Sequence, residues 1–223
     1  MDKILEIAKK HDLFVIEDAA QAHLADINGK PVGTFGDAAA FSFYPTKNMT
    51  TAEGGMVILS SSSQERQVRM LRNQGMEVRY QNEIIGFNLR MTDVHAAIGL
   101  EQIKKLNSFT EKRIENARIL SDYLGPDYAP NIPAGFKHVF HQYTIKIHET
   151  RDMLQEHLSA LGIQSGVYYP YPVHKLPSFN VNERLIVTEE LCRQVISLPI
   201  HPKLRNRDIK RIAQAVEPFV SRS

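Results

Sequence analysis

The chain has 223 residues, 43% of them hydrophobic and 23% charged, which is enough to bury a sizeable core in one large domain or two smaller ones. Its 27 basic and 25 acidic residues leave a formal net charge of +2, and this balance argues against nucleic acid or an anionic membrane as a partner. No apolar run approaches the length of a membrane span, and the first residues are too charged for a secretory signal. The single cysteine, Cys192, excludes an internal disulfide and favours a reducing cytoplasm.

The first informative segment is an apolar run that ends in two acids. Residues 2–11 predict a helix, and residues 13–16 predict a strand buried on both faces, like the strands of a parallel sheet. Asp18 lies just beyond that run. In open α/β sheets ligands bind at the carboxyl ends of the strands, so an acid at this point is placed for chemistry. The alternative interpretation of Asp18 is a helix N-cap or a turn residue.

A second short strand leads to a lysine. The segment 41–43 is apolar and stops at Pro45, because proline has no N–H to donate and its φ is fixed. Lys47 lies just beyond, in a turn that continues through residues 50–55. Considered alone, Lys47 is typical of an exposed surface lysine. With Asp18 it forms the pair that pyridoxal phosphate enzymes need, a lysine that binds the cofactor and a carboxylate that keeps the pyridine nitrogen protonated.

The remaining elements alternate between helices and strands. The pattern predicts a hairpin turn at 29–36, a buried strand at 56–59, a helix at 63–74, an aperiodic segment at 76–90, helices at 92–106 and 108–124, a Gly/Pro-rich linker to 135, strands at 139–147, 166–169 and 195–198, and helices at 152–161 and 206–219. In the 92–106 helix, four residues are expected on the inner side: Val94, Ala97, Ile98 and Ile103. This order predicts a first domain over residues 1–124 and a small α+β domain over residues 125–223.

The nine histidines do not predict a metal site. His138 and His141 are three residues apart, and on an extended strand that spacing directs them to opposite faces. The sequence contains no HExxH motif and no Cys/His cluster. No bound metal is therefore expected.

Ordered motifs along nearly the whole chain carry a family resemblance. They are EDAAQAH at 17–23, GTFGDAAAFSF at 33–43, Lys47-Asn48, EGG at 53–55, LRNQGM at 71–76, GFNLRM at 86–91, AAIGL at 96–100, the stretch from Tyr169-Pro170 to His174, and Ser197-Leu198-Pro199. In this order they resemble the DegT/DnrJ/EryC1/StrS sugar aminotransferases. Chains of that family are longer and carry an N-terminal segment with a phosphate-binding turn and a stacking aromatic ring. The resemblance therefore implies that this chain is a fragment or a truncated product.

The resemblance also implies a fold and a set of site residues. The implied fold is α/β of fold-type I, similar to aspartate aminotransferase, with part of a large domain built on a mixed, mostly parallel sheet and a small α+β C-terminal domain. Lys47 and Asp18 are the implied catalytic residues, and both would also bind the cofactor. The other implied residues are Gln21, Ser42 and Asn88 for the cofactor, and Arg90 and His174 for the substrate. On sequence alone, Asn88 is more typical of a turn asparagine that bonds its own backbone. Arg90 could equally stabilise an interface, and His174 is equally typical of a loop histidine.

The implied function is transamination with pyridoxal 5′-phosphate. The resemblance indicates a nucleotide-linked keto-sugar as acceptor and glutamate as amino donor, in the biosynthesis of amino sugars for cell-surface polysaccharides or antibiotics. It also implies a homodimer whose active site is shared between subunits. One alternative is the dehydratase branch of the same fold, which has histidine in place of the lysine and is disfavoured by Lys47. The other is a truncated, non-catalytic homologue that binds a partner subunit or a sugar ligand.

Overall fold

The computed structural model describes residues 1–179 and 181–220. The last three residues of the predicted second domain, 221–223, lie outside these ranges. Within the ranges, no helix combines the length and the apolar character that crossing a membrane requires.

The secondary structure confirms an alternation of helices and strands. The helices are α1 (Asp2–Lys10), α2 (Ser62–Arg72), α3 (Asp93–Leu124), α4 (Arg151–Ala160), α5 (Ile186–Gln194) and α6 (Asn206–Val216), with single 3₁₀ turns at Val173–Lys175 and Glu217–Phe219. The strands are β1 (Ile16–Asp18), β2 (Asp26–Ile27), β3 (Lys30–Pro31), β4 (Ala38–Ser42), β5 (Gly55–Leu59), β6 (Phe136–Lys137), β7 (Tyr143–Lys146) and β8 (Val195–Leu198).

The chain forms two compact units that divide inside α3. The first comprises residues 1–108 and 134–139, and the second comprises residues 109–133 and the chain from Phe140 onward. The domain boundary expected after residue 124 stays a prediction. The second half of α3 carries apolar residues that pack into the core of the second unit.

The main sheet of the first unit is mixed, with the strand order β1-β4-β5. Strands β1 and β4 run parallel, with Asp18 opposite Ala40. Strands β4 and β5 run antiparallel, with Ser42 opposite Gly55. Because β1 and β4 are parallel, their carboxyl ends lie at the same edge of the sheet, where ligands bind in folds of this kind.

Two strands predicted to be buried are exposed. β1 begins only at Ile16, and the exposed fractions of Phe14 and Ile16 are 55% and 66%. In β5, Met56 and Val57 are 52% and 50% exposed. Both strands are edges of the three-stranded sheet, so in the described part of the chain each has a neighbour on one side only. The apolar runs were correct signals for strands, but the expectation that they are buried is wrong.

The two helices predicted over 92–106 and 108–124 are one continuous helix, α3. The Thr92 hydroxyl accepts the His95 N–H at 3.3 Å, as an N-cap does. No proline or glycine interrupts the junction, and the Ser108 hydroxyl donates back to the Lys105 carbonyl at 2.8 Å, which keeps it within the helix. The expectation that four residues of the 92–106 helix face inward is wrong, since all of them are exposed, Val94 by 70% and Ile103 by 56%.

The second unit has its own apolar core, built as the predicted α+β arrangement. Its strands β7 and β8 pair antiparallel, with Tyr143 opposite Leu198. The largest fully buried apolar side chains of the unit are Leu120, Tyr143, Ile145, Ile147, Leu154, Leu158, Ile196, Ile209 and Val216. The Tyr143 hydroxyl lies 2.9 Å from that of Ser121, and burial raises the pKa of Tyr143 to about 12.

Candidate active site

Asp18 and Ser42 lie on the same face of the parallel strand pair. Asp18 is the last residue of β1 and stands opposite Ala40 of β4. Side chains alternate along a strand, so Ser42, two residues after Ala40, points to the same side as Asp18. Asp18 is exposed, and its Oδ1 accepts the Ala20 N–H at 3.0 Å. The carboxyl edge of the sheet therefore presents a carboxylate and a hydroxyl together.

Lys47 follows β4 in a tight turn. The Lys47 N–H donates to the Tyr44 carbonyl at 3.0 Å, which closes a four-residue turn with Pro45 at its second position. The Ser42 hydroxyl accepts the Tyr44 N–H at 3.3 Å, so Ser42 and the turn are linked. The Lys47 side chain is half-buried. The structure thus places Lys47 directly beyond the strand whose end carries Ser42.

The loop that carries Lys47 is fastened at both ends to Phe43. The Phe43 carbonyl accepts the Thr51 N–H at 3.0 Å, and the Phe43 N–H donates to the Gly54 carbonyl at 2.9 Å. Gly54 has φ +150°, and a Cβ there would lie 2.6 Å from Thr51 Oγ1, so the closure requires glycine. Asn48 is only 5% exposed, and its Nδ2 donates to the Val139 carbonyl at 3.2 Å. Hydrogen bonds to backbone groups therefore hold this loop in place.

The opposite face of the strand pair carries two buried polar side chains that the sequence analysis did not select. Glu17 stands opposite Ala39, on the side away from Asp18. His23 is 4% exposed and lies between the rings of Phe41 and Phe43, with centroid distances of 5.5 and 5.9 Å. Both belong to the EDAAQAH motif, and their position inside it was the one signal that could have identified them.

His23 is a buried imidazole whose polar partner among the described residues is the backbone of Ser42. Burial is the main cause that lowers the pKa of His23; the backbone of Ser42 opposes it, and the positive charge of Lys47 lowers it further. His23 is therefore neutral at neutral pH. Its ring packs against the strand that leads to Lys47 and brings no charge there.

Asn88 and Arg90 are in contact with each other in the irregular segment after α2. Arg90 Nε donates to Asn88 Oδ1 at 2.8 Å, and Arg90 Nη1 lies 3.5 Å from Asn73 Oδ1. Asn73 and Asn88 also form an isolated β-bridge. Both Asn88 and Arg90 are exposed, so their side chains are accessible to a ligand.

Gln21 and His174 complete the predicted set. Gln21 is exposed, three residues after Asp18. His174 belongs to the second unit, in the 3₁₀ turn Val173–Lys175, and its Nε2 lies 3.2 Å from Glu189 Oε1. The hydrogen bond from His174 lowers the pKa of Glu189. While this pair is intact, His174 has only Nδ1 to offer a ligand.

The side chains at the carboxyl edge fit pyridoxal phosphate by their chemistry. Lys47 supplies an amine that can bind an aldehyde, Asp18 a carboxylate for a pyridinium, and Ser42 a hydroxyl for a phosphate. In the described part of the chain, no group of three or more His, Cys, Asp or Glu side chains is placed to hold a metal ion.

Known proteins share both the sequence and the fold. Residues 1–217 match the model of the DegT/DnrJ/EryC1/StrS aminotransferase family. A UDP-N-acetyl-3-dehydro-alpha-D-glucosamine 3-aminotransferase from Acidithiobacillus ferrooxidans is 41% identical, over 97% of this chain and 60% of that protein. A GDP-perosamine synthase from Caulobacter vibrioides is 38% identical, over 97% of this chain and 62% of its own length. The crystal structure of Streptomyces venezuelae DesV with a ketimine intermediate superposes with a TM-score of 0.94 at 34% identity, covering 100% of this chain and 62% of that one.

The fold is that of the fold-type I aminotransferases that use pyridoxal phosphate. The chain belongs to the DegT/DnrJ/EryC1/StrS aminotransferase family, which confirms the resemblance carried by the motifs. It spans about 60% of the length of the curated relatives that it matches.

Proposed function

We propose that this chain forms part of an aminotransferase that uses pyridoxal 5′-phosphate to move an amino group from glutamate to a nucleotide-linked keto-sugar. The observation that carries the proposal is the common edge of β1 and β4. There Asp18 and Ser42 share one face, and the Lys47 turn begins just beyond Ser42. The relatives act on sugars linked to UDP, GDP and dTDP, as their names state, so the nucleotide of this protein is left open.

Each residue has a role that follows from its chemistry. When bound, pyridoxal phosphate supplies an electron sink that stabilises negative charge on the α-carbon of the amino donor. The Lys47 Nζ would bind the cofactor covalently, and as a free amine it would take the proton from the donor α-carbon. Asp18 holds the pyridine nitrogen in its protonated form. Its Oδ1 already accepts the Ala20 N–H, so Oδ2 is the atom that we assign to the ring.

The other predicted residues bind rather than react. We assign the Ser42 hydroxyl and the Asn88 amide to the cofactor phosphate, and Gln21 to the side of the ring that carries the hydroxyl. Arg90 is assigned to an anionic group of the substrate, and His174 Nδ1 to the sugar. The exposure of Asn88 and Arg90 agrees with contact to a second subunit in a homodimer. We further propose that the enzyme works in the cytoplasm.

Substitution of Lys47 by alanine tests the function. The wild-type chain, purified with pyridoxal phosphate, should show a visible absorption band that borohydride bleaches, and Lys47→Ala should lack both. In any complete form of the protein, Lys47→Ala should lower the transamination rate by at least about 10²–10⁴-fold, because the amine moves the proton. Lys10→Ala, on the exposed surface of α1, is the matched control and should behave as wild type.

Two results would contradict the proposal. Turnover retained in Lys47→Ala would remove Lys47 from the mechanism. The second result is a wild-type protein that never acquires the absorption band, even when it is produced with a chain as long as those of its relatives. That result would favour the alternative of a non-catalytic homologue.

A further inference from the structure

Glu17 is a buried carboxylate held entirely by backbone N–H groups. It is 7% exposed. Its Oε2 accepts the Gly33 N–H at 2.8 Å, and its Oε1 accepts the N–H groups of Phe35 and Gly36 at 2.6 and 2.8 Å. Hydrogen bonds to an ionised acceptor are about twice as strong as neutral ones. This single side chain therefore fixes the loop between β3 and β4 to the middle of β1.

The loop is shaped to receive this carboxylate. A Cβ at Gly36 would lie 2.6 Å from the Val15 carbonyl, so only glycine lets the loop approach β1 this closely. Successive backbone N–H groups that converge on one point form a concave anion site. Here Glu17 occupies that site. Among the ion pairs of the described residues none involves Glu17, so the loop amides are what compensates its charge.

Glu17 and Asp18 are neighbours that point to opposite faces of β1. A side chain fixed at three points on one face restricts the rotation of the strand about its own axis, and with it the direction of the next side chain. The amino end of the β1–β4 strand pair is held by a different set of hydrogen bonds. The Val15 N–H donates to Asp37 Oδ2 at 2.8 Å, and the Asp37 N–H donates to the Val15 carbonyl at 2.9 Å.

We propose that Glu17 is a positioning residue, which holds β1 so that the carboxylate of Asp18 faces the carboxyl edge of the sheet. The proposal rests on the role assigned to Asp18 in the proposed function. Glu17 itself lies on the opposite face, away from the side chains assigned to the cofactor. It acts through the backbone of its neighbour, whose Oδ1 accepts the Ala20 N–H at 3.0 Å.

Substitution of Glu17 by glutamine tests this role with little change in shape. The amide keeps one acceptor oxygen but turns the other into a donor, so at least one loop N–H loses its partner. In the chain without cofactor, hydrogen exchange of the Gly33, Phe35 and Gly36 amides should accelerate about tenfold or more. The Ala20 amide should accelerate with them, because its acceptor is Asp18.

Asp37→Asn is the matched control, since it weakens one carboxylate bond at the other end of the same strand pair. Its effect should be confined to the Val15 amide, with Ala20 unchanged. If Glu17→Gln does not fold, Glu17→Asp keeps the charge on a shorter stem that cannot reach all three amides, and the same exchange pattern is expected.

Cofactor binding supplies a second, independent readout. Glu17→Gln should weaken the binding of pyridoxal phosphate about tenfold and alter the pH dependence of its absorption band, whereas Asp37→Asn should do neither. Unchanged exchange at Ala20 in both Glu17 variants, with the loop amides released, would overturn the proposal and leave Glu17 as an anchor of the loop alone. If a wild-type protein as long as its relatives binds no cofactor, the proposed function fails, while the exchange measurement still decides the role of Glu17.

Discussion

Replacement of His23 by leucine should stabilise the first unit. His23 is 4% exposed between Phe41 and Phe43, and at most one of its two ring nitrogens has a hydrogen-bond partner among the described residues, the backbone of Ser42. Each unpartnered polar atom costs about 1–3 kcal/mol, and a volume-conserving apolar replacement costs up to about 1.5 kcal/mol. With one nitrogen unpartnered, we therefore expect His23→Leu to raise the free energy of unfolding by up to about 3 kcal/mol.

The same substitution should remove a dependence of stability on pH. Burial lowers the pKa of His23, so below about pH 6.5, the ordinary histidine pKa, the unfolded chain binds more protons than the folded one. The stability associated with neutral His23 is thus complete above that pH and is lost as the pH falls, at no more than about 1.4 kcal/mol per pH unit. Burial also lowers the pKa values of His138 and His201, so part of the slope will remain.

Urea denaturation followed by circular dichroism, at several pH values from about 5 to 8, measures both effects. The control is His11→Leu, because His11 is exposed at the end of α1. A drop in unfolding free energy in His23→Leu, together with an unchanged pH slope, would show that the imidazole is stabilised by partners and refute the reasoning.

Two further substitutions test the packing around the site and in the second unit. Gly36→Ala should destabilise by about 1–3 kcal/mol, because its Cβ would lie 2.6 Å from the Val15 carbonyl. Thermal unfolding measures this loss, and a stability equal to that of the wild type would contradict the close approach. Tyr143→Phe should cost about 1 kcal/mol, because it removes the hydroxyl partner of Ser121. Urea denaturation measures this loss, and an unchanged stability would contradict the contact.

Local patterns predicted several elements of the fold correctly. The apolar face with Ala117, Leu120 and Leu124 is buried, and Gly125 ends the helix in the left-handed conformation at φ +80°. The strand at residues 195–198 is β8. These predictions were correct because each signal, such as the period of 3.6 residues or the terminal glycine, depends on a single element and not on its neighbours.

The prediction failed where burial depends on neighbours that the pattern does not identify. Ile16 and Met56 belong to apolar runs typical of buried strands, yet they lie on edge strands and are exposed. The merging of two predicted helices into α3 has a similar origin, since Asn107 and Ser108 do not interrupt a helix strongly enough to end it.

The candidate site was partly accessible from sequence, because the motifs place Asp18 and Lys47 after strands. That both lie at the same edge of the sheet could be recognised only from the parallel pairing of β1 and β4 in the structure. The contributions of Glu17, His23 and Asn48 were missed for a physical reason. Each acts through a partner distant in sequence, such as the Val139 carbonyl that accepts from Asn48 across 91 positions.

The open side of β5 has a practical consequence for handling this polypeptide. Its Met56, Val57 and Ile58 are at least 40% exposed, and the strand has a hydrogen-bonded neighbour on one side only within the described residues. An uncharged apolar edge of this kind recruits strands from other molecules and seeds aggregates. Purified alone, the polypeptide should stay monodisperse only in dilute solution, and turbidity that grows with concentration will report how well that edge is shielded.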